Sequence, residues 1–268
     1  MSSVAKNTTL MMIASIGQKV VSLTYFTIVA RLIGPENTGL YTSALALTTI
    51  FVVFVDLGLT NVLIREGARE KDNLQKVFSA TLGAKLICGL LSYFAMWITL
   101  ELLNFEREFT YMVYLSGLTM LFDSLNLSLY GALRAYHNLK YESVAIFASQ
   151  TITLVLGLIF LFFKLPLIYL ILAFTIPSML NALYASLIAR NKYRLRIVPS
   201  FDKMELKKLA ILAAPFALAA IFGRIYSYVD VVVLKKLAGN LEVGYYTTPS
   251  KITFAFQFIP VALSASVY

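Results

Sequence analysis

Arg31-Leu-Ile-Gly-Pro-Glu-Asn-Thr-Gly-Leu-Tyr-Thr42 parts two long apolar runs, and a near copy, Lys236-Leu-Ala-Gly-Asn-Leu-Glu-Val-Gly-Tyr-Tyr-Thr247, parts two more 205 residues later. Five of the twelve aligned positions are identical: Leu32/Leu237, Gly34/Gly239, Gly39/Gly244, Tyr41/Tyr246 and Thr42/Thr247. Each copy closes one run with a cation, ends it with a glycine, turns, and opens the next run with Gly-x-Tyr-Thr. Glycine just past a helix end is the expected cap, because only glycine enters the left-handed region cheaply.

The runs around these turns are longer than globular core helices. Of 268 residues, 59% are apolar and 14% charged, against roughly half and a quarter in soluble domains. Crossing a hydrocarbon core of about 30 Å takes roughly 18–20 apolar residues. Eight stretches have that length: 9–31, 39–60, 78–100, 110–133, 143–163, 166–188, 209–234 and 245–266. They predict an all-α, polytopic transmembrane bundle of eight spans. The alternating ten-residue segments of membrane β-barrels are absent. The first run is too long for a secretory signal and has no small-x-small cleavage site after it, so it reads as a retained helix. Cys88, the one cysteine, falls inside span three and reads as a small hydrophobe.

The cations orient the map. Fourteen Lys and Arg fall on the side that holds the N-terminus and five on the other, with Lys19, Lys85, Arg224 and Lys251 inside spans. Cytoplasmic loops are enriched in cations, which predicts a cytoplasmic N-terminus. Seven cations crowd the stretch 190–208. This distribution accounts for most of the net charge of +9, so nucleic acid is not expected as a partner.

Six spans separate the two copies of the repeat, an even number, so both copies point the same way. That predicts a parallel repeat of six-helix lobes related by an axis along the membrane normal. The first lobe is expected at 1–190, a basic cytoplasmic linker at 191–208, and the first two helices of an incomplete second lobe at 209–268. The incomplete copy reads as part of a protein with at least twelve spans.

Ala30-Arg-Leu-Ile-Gly-Pro-Glu-Asn-Thr-Gly-Leu-Tyr41, then Asp56-Leu-Gly-Leu59 running into Arg65-Glu66, resembles the N-terminal lobe of the polysaccharide flippases. These belong to the multidrug/oligosaccharidyl-lipid/polysaccharide exporter superfamily. Arg224-Ile-Tyr-Ser-Tyr-Val-Asp230 with Gly244-Tyr-Tyr246 looks like that family's seventh and eighth helices. The resemblance implies a plasma-membrane transporter without a cofactor. It would move polyprenyl-pyrophosphate-linked oligosaccharide, a precursor of capsule or O-antigen, by alternating access. Membrane lipids and other polysaccharide assembly proteins are the implied neighbours.

Charges inside spans are costly and mark functional sites. Lys19 and Arg224 stand 205 residues apart, at one repeat position, and form a candidate pyrophosphate clamp. Lys85, Lys251 and Gln257 are further candidate substrate contacts. Asp123 and Asp230 are candidates for ion coupling or a cavity wall, and Asp56 for a gate or a contact with Arg65. Polar stripes at helical spacing (Ser15, Gln18, Ser22 and Tyr25; Thr42, Thr49 and Asp56; Ser116, Thr119, Asp123, Asn126 and Tyr130) predict a cavity lined mainly by spans one, two, seven and eight. Pro215 and Pro260 make spans seven and eight hinge candidates, and Ala219 with Gly223 offers a close approach to a neighbouring helix. Two rival readings are a cation-driven drug exporter, which should carry an acid in the first lobe's cavity, and a glycan polymerase or ligase, which needs an acid/base cluster. Span one holds no acid, and His137 is the only histidine. An enzyme is therefore not expected.

Overall fold

The computed structural model describes residues 3–255. Its helices are α1 (Ser3–Asp56), α2 (Leu59–Arg69), α3 (Leu74–Leu103), α4 (Arg107–Ala135), α5 (Lys140–Phe162), α6 (Ile168–Asn191), α7 (Lys203–Ala238) and α8 (Asn240–Ala255), with one 3-10 turn at Lys71–Asn73. No strand occurs among the described residues. Among the described residues, six helical stretches are long and apolar enough to cross a membrane. The first of them, 10–69, contains both of the first two expected spans, and span eight falls partly outside the described residues.

The repeated turn appears in both places with one backbone geometry. Gly34 breaks α1 into two arms at φ 78°, ψ 172°, and Gly239 separates α7 from α8 at φ 89°, ψ −174°. Those values are open to glycine and strained for any side chain. Span two ends earlier than its apolar run does: α1 stops at Asp56, and Leu57 and Gly58, both at positive φ, turn the chain into α2.

Burial is arranged as lipid requires. On α3 the large side chains Leu90, Leu91, Phe94 and Trp97 face outward, whereas Thr81, Lys85 and Ser92 are buried. Inside, one apolar cluster joins α2, α3, α4 and the start of α7 around Leu63, Phe78 and Leu129. A second joins α1, α4 and α6 around Val29, Met112 and Ile171. Between α4 and α6 runs a hydrogen-bond seam. Thr119 and Thr175 hydroxyls meet at 2.7 Å, Asn126 donates to the Ser178 carbonyl at 3.1 Å, and Tyr130 donates to Asn181 at 2.5 Å. Ser178 donates to Asp123 in the same seam. The polar stripe of span four therefore meets a complementary stripe on α6 rather than a cavity, because Thr175, Ser178 and Asn181 repeat at helical spacing opposite it.

The two repeat copies pack against each other reciprocally. A Cβ on Gly39 would lie 1.7 Å from the carbonyl oxygen of Asn240, and one on Gly244 would lie 1.9 Å from that of Pro35. Positions 35 and 240, like 39 and 244, are repeat equivalents, so each contact is the image of the other. Thr42 and Thr247, also equivalent, share a hydrogen bond at 3.2 Å. A reciprocal contact of this kind is what a local two-fold axis between α1 and α8 produces.

An ionic latch holds the same end of the bundle. Lys235 Nζ lies 2.5 Å from Glu106 in the α3–α4 turn, also donates to Asn240, and stands 5.1 Å above the Phe109 ring. Its neighbour Lys236 donates to the Leu103 carbonyl. Burial on its own would raise the Glu106 carboxyl, but hydrogen bonds from Lys235 and Asn240 and the Lys235 charge hold it below its ordinary value. A depressed carboxyl contributes stability above its unfolded value and loses it as pH falls through the folded one. The latch should therefore be complete at neutral pH and open only in acid. Lys235 is almost entirely enclosed whereas the Glu106 side chain is half exposed, so the two partners are unequal. Glu106→Gln strands a buried cation and should cost about 1–3 kcal/mol. Lys235→Met leaves a carboxylate that water can reach and should cost less. Thermal unfolding of the two variants, repeated at pH 7 and near pH 4, measures both statements.

The connection between α6 and α7 is docked rather than free. Gln75 grips Arg196 at both backbone groups, accepting from its N–H at 2.8 Å and donating to its carbonyl at 2.9 Å. Ser200 N–H donates to the Ser79 carbonyl at 2.8 Å. Asp202 caps α7 by accepting from Met204 and Glu205, and Lys76 pairs with Glu205 at 2.8 Å.

Candidate functional site

Beneath the reciprocal glycine contact lies a cavity of about 500 Å³ between the two arms of α1, α7 and α8, with Phe174 of α6 in its wall. Four repeat-equivalent pairs line it: Leu23/Tyr228, Phe26/Val231, Thr42/Thr247 and Ala46/Lys251. The cavity thus straddles the local two-fold axis, the place where transporters built from repeats bind substrate.

Helical spacing brings its polar groups together. On the first arm of α1, Gln18, Ser22 and Tyr25 share a face with Lys19 beside them, and on the second arm Thr42 and Thr49 stand two turns apart. Two cations, Lys19 and Lys251, reach the wall, and among the described lining residues there is no carboxylate. The Lys251 ammonium lies 5.9 Å from the centre of the Phe26 ring, within cation–π range. Tyr25 is 2% exposed, its ring meets Phe174 edge-on at 5.6 Å, and its hydroxyl is buried beside that of Tyr41. Gly157 makes room for that ring, since a Cβ there would stand 2.4 Å from it. Two buried tyrosine hydroxyls at the wall of a cavity with two ammonium groups offer neutral donors to an oxygen-rich anionic ligand.

The other sequence candidates are placed elsewhere. Arg224 lies on the same α7 face as Tyr228 and Val231, one turn further from the Gly239 turn, and is outside the lining. Of the two candidate clamp residues Lys19 lines the cavity and Arg224 does not, and Lys251 is the second cation in the lining. Lys85 is not in the cavity either: it is buried in an ion pair with Asp56 at 2.6 Å. Asp56 accordingly meets Lys85 and Thr60, and Arg65 turns instead to Glu66 at 3.1 Å. Asp123 belongs to the α4–α6 seam. Asp230 accepts from Tyr246 at 2.5 Å, outside the lining. Gln257 and Pro260 lie outside the described residues. Gly223 has no described atom within 4 Å of where a Cβ would stand, so no described neighbour meets the small-residue pair with Ala219.

Sequence reasoning places Tyr25 in a cavity-facing stripe but misses the Lys235 latch, for which a signal exists. Lys235 corresponds to Ala30 in the first copy, so a cation stands where the repeat has none.

The sequence profile of the family described as "Polysaccharide biosynthesis protein" matches residues 4–268. The chain is 24% identical over 252 residues to a Shigella flexneri protein named as an O-antigen transporter, covering 89% of this chain and 59% of that one. It is 23% identical over 248 residues to the capsular polysaccharide biosynthesis protein CapF of Staphylococcus aureus, covering 91% of this chain and again 59% of the relative. The chain therefore spans about 59% of the length of these curated relatives. Among solved structures, a MATE transporter superposes with a TM-score of 0.69 at 18% identity, over 94% of this chain and 63% of that one. An inward-facing multidrug resistance MATE family transporter gives 0.64 at 16% identity, over 91% and 58%. These likenesses show that the chain shares the fold of those structures.

Proposed function

Since the chain belongs to the polysaccharide biosynthesis protein family, we propose that it is the larger part of a flippase for polyprenyl-pyrophosphate-linked oligosaccharide, and that Lys19 and Lys251 hold the pyrophosphate. The observation that carries this reading is the charge of the cavity wall, which has two lysines and no described carboxylate. Such a wall favours an anion and disfavours the cationic cargo of a drug exporter. Lysine meets phosphate as a point charge, and the Tyr25 hydroxyl and the threonines supply neutral donors beside it.

In this reading the eight expected spans form one six-helix lobe and the opening pair of its repeat. The cation-rich side faces the cytoplasm of a cell whose plasma membrane holds the protein. Alternating access follows from the two-fold setting of the cavity, because the end closed by Gly39, Gly244 and the Lys235 latch is the outer one. Transport then needs no covalent chemistry from the protein.

The test is complementation of surface glycan in cells lacking their own flippase, using the full-length protein. Lys19→Ala and Lys251→Ala should each lower export about 10- to 150-fold, the worth of one charge-assisted contact. The double variant should abolish surface glycan while its membrane level stays normal. Lys19→Arg should retain most of the function. Unchanged glycan in the double variant would overturn the reading, as would uptake of a cationic dye in place of glycan export.

A further inference from the structure

Several oxygens gather where α1 ends. Lys85 Nζ lies 2.6 Å from Asp56 Oδ1, 2.8 Å from Thr60 Oγ1 and 3.1 Å from the Ser124 carbonyl. Thr60 in turn donates to Asp56 at 2.5 Å. The three N–H groups of one ammonium thus have three acceptors, supplied by α1, α2 and α4. Lys85 itself is 6% exposed, and the Ser124 hydroxyl is buried beside the same carbonyl with no partner among the described residues.

Without its lysine stem, this cradle has the chemistry of a metal-cation site. It combines one carboxylate, one hydroxyl and one backbone carbonyl that also accepts from the Ser128 hydroxyl. Asp56 is the last residue of α1, where the helix dipole adds negative charge. The chain then breaks at Leu57 and Gly58, and ends of interrupted helices are where membrane transporters coordinate small cations. The charge decides which cation. One carboxylate balances one positive charge, so the fitting ion is monovalent.

We propose that Asp56, Thr60 and Ser124 form a site for a monovalent alkali cation, Na⁺ or K⁺, which Lys85 fills as a tethered ammonium. This part of the bundle then carries its cation in the chain and is indifferent to the salt around it. The site lies apart from the lysine-lined cavity, so it stands whether or not that cavity carries glycan.

The experiment is thermal unfolding of the purified full-length protein in choline, sodium or potassium chloride at equal ionic strength, with magnesium chloride as a control. In Lys85→Ala, replacing choline by Na⁺ or K⁺ should raise the midpoint by about 5 °C or more at saturating ion. Mg²⁺ should not do so. The wild type should show no such rise, and Lys85→Ala combined with Asp56→Asn should lose it. An identical midpoint for Lys85→Ala in every salt overturns the proposal, and so does an equal rise in the wild type. Lys85→Met provides the same comparison with less volume removed. Recovery of either variant only from Na⁺ or K⁺ buffers supports the site, and loss of both in every salt overturns it.

Discussion

Gly39→Leu and Gly244→Leu each force α1 and α8 apart and remove the contact on which the two repeat copies meet. A Cβ at position 39 would stand 1.7 Å from a backbone oxygen of α8, and one at 244 would stand 1.9 Å from a backbone oxygen of α1. No rotamer change relieves a clash with backbone, so a whole helix has to move. Overpacking a well-filled interior costs about 1–3 kcal/mol when side chains can adjust, and the cost here belongs at the top of that range or above it. The readout is a cross-link. With Cys88→Ser as background, Thr42→Cys and Thr247→Cys place thiols where two hydroxyls stand 3.2 Å apart, and oxidation should join them in high yield. Adding Gly39→Leu should abolish the cross-link. Gly223→Leu, at a glycine with no described atom within 4 Å of its Cβ position, should leave it intact.

That contact is legible in part from the amino-acid order alone. The repeat places Gly39 on Gly244 and Thr42 on Thr247, and hydropathy places the helices that carry them. What an internal alignment does not say is that the equivalent residues touch, since a repeat fixes equivalence and not distance. The cavity is legible to the same depth. Polar stripes on the two arms of α1 point at one face, and Gln18, Tyr25, Thr42 and Thr49 all line it. Arg224 marks the limit of symmetry as a guide, because an exact offset to Lys19 does not bring both side chains to one cavity when α7 and the first arm of α1 meet different neighbours. The span-four stripe belongs to one helix, whereas its meaning lies in the matching Thr175, Ser178 and Asn181 of α6. Lys235 reads as a loop cation because its position near a span end is where orienting charges belong. Its burial depends on Glu106 and Asn240, which are remote or ordinary in sequence.

The pairing of Asp56 with Lys85 is illegible in sequence for the same reason, and it yields the largest stability effect expected among charged residues. Asp56→Ala removes the carboxylate bonded to an ammonium whose side chain is 5% exposed. Its remaining acceptors, Thr60 and the Ser124 carbonyl, are neutral. Breaking a buried pair by deleting one partner costs about 3–5 kcal/mol, most of it the burial of the charge left behind. Deleting both charges is a different change. Asp56→Leu with Lys85→Met replaces the pair by apolar groups of similar volume, and buried pairs exchanged in that way often leave stability unchanged or improved. The double variant should therefore unfold near the wild-type midpoint while Asp56→Ala falls by about 10 °C, at roughly 2–4 °C per kcal/mol for a chain of this size. Measured in choline chloride, where no small cation can replace the ammonium, the cycle isolates the coupling between the two charges. An additive result would mean that Asp56 and Lys85 act independently. A coupling of several kcal/mol would mean that the break at Leu57 and Gly58 is held by one ion pair, so the shape of this part of the bundle depends on a charge that never reaches the cavity.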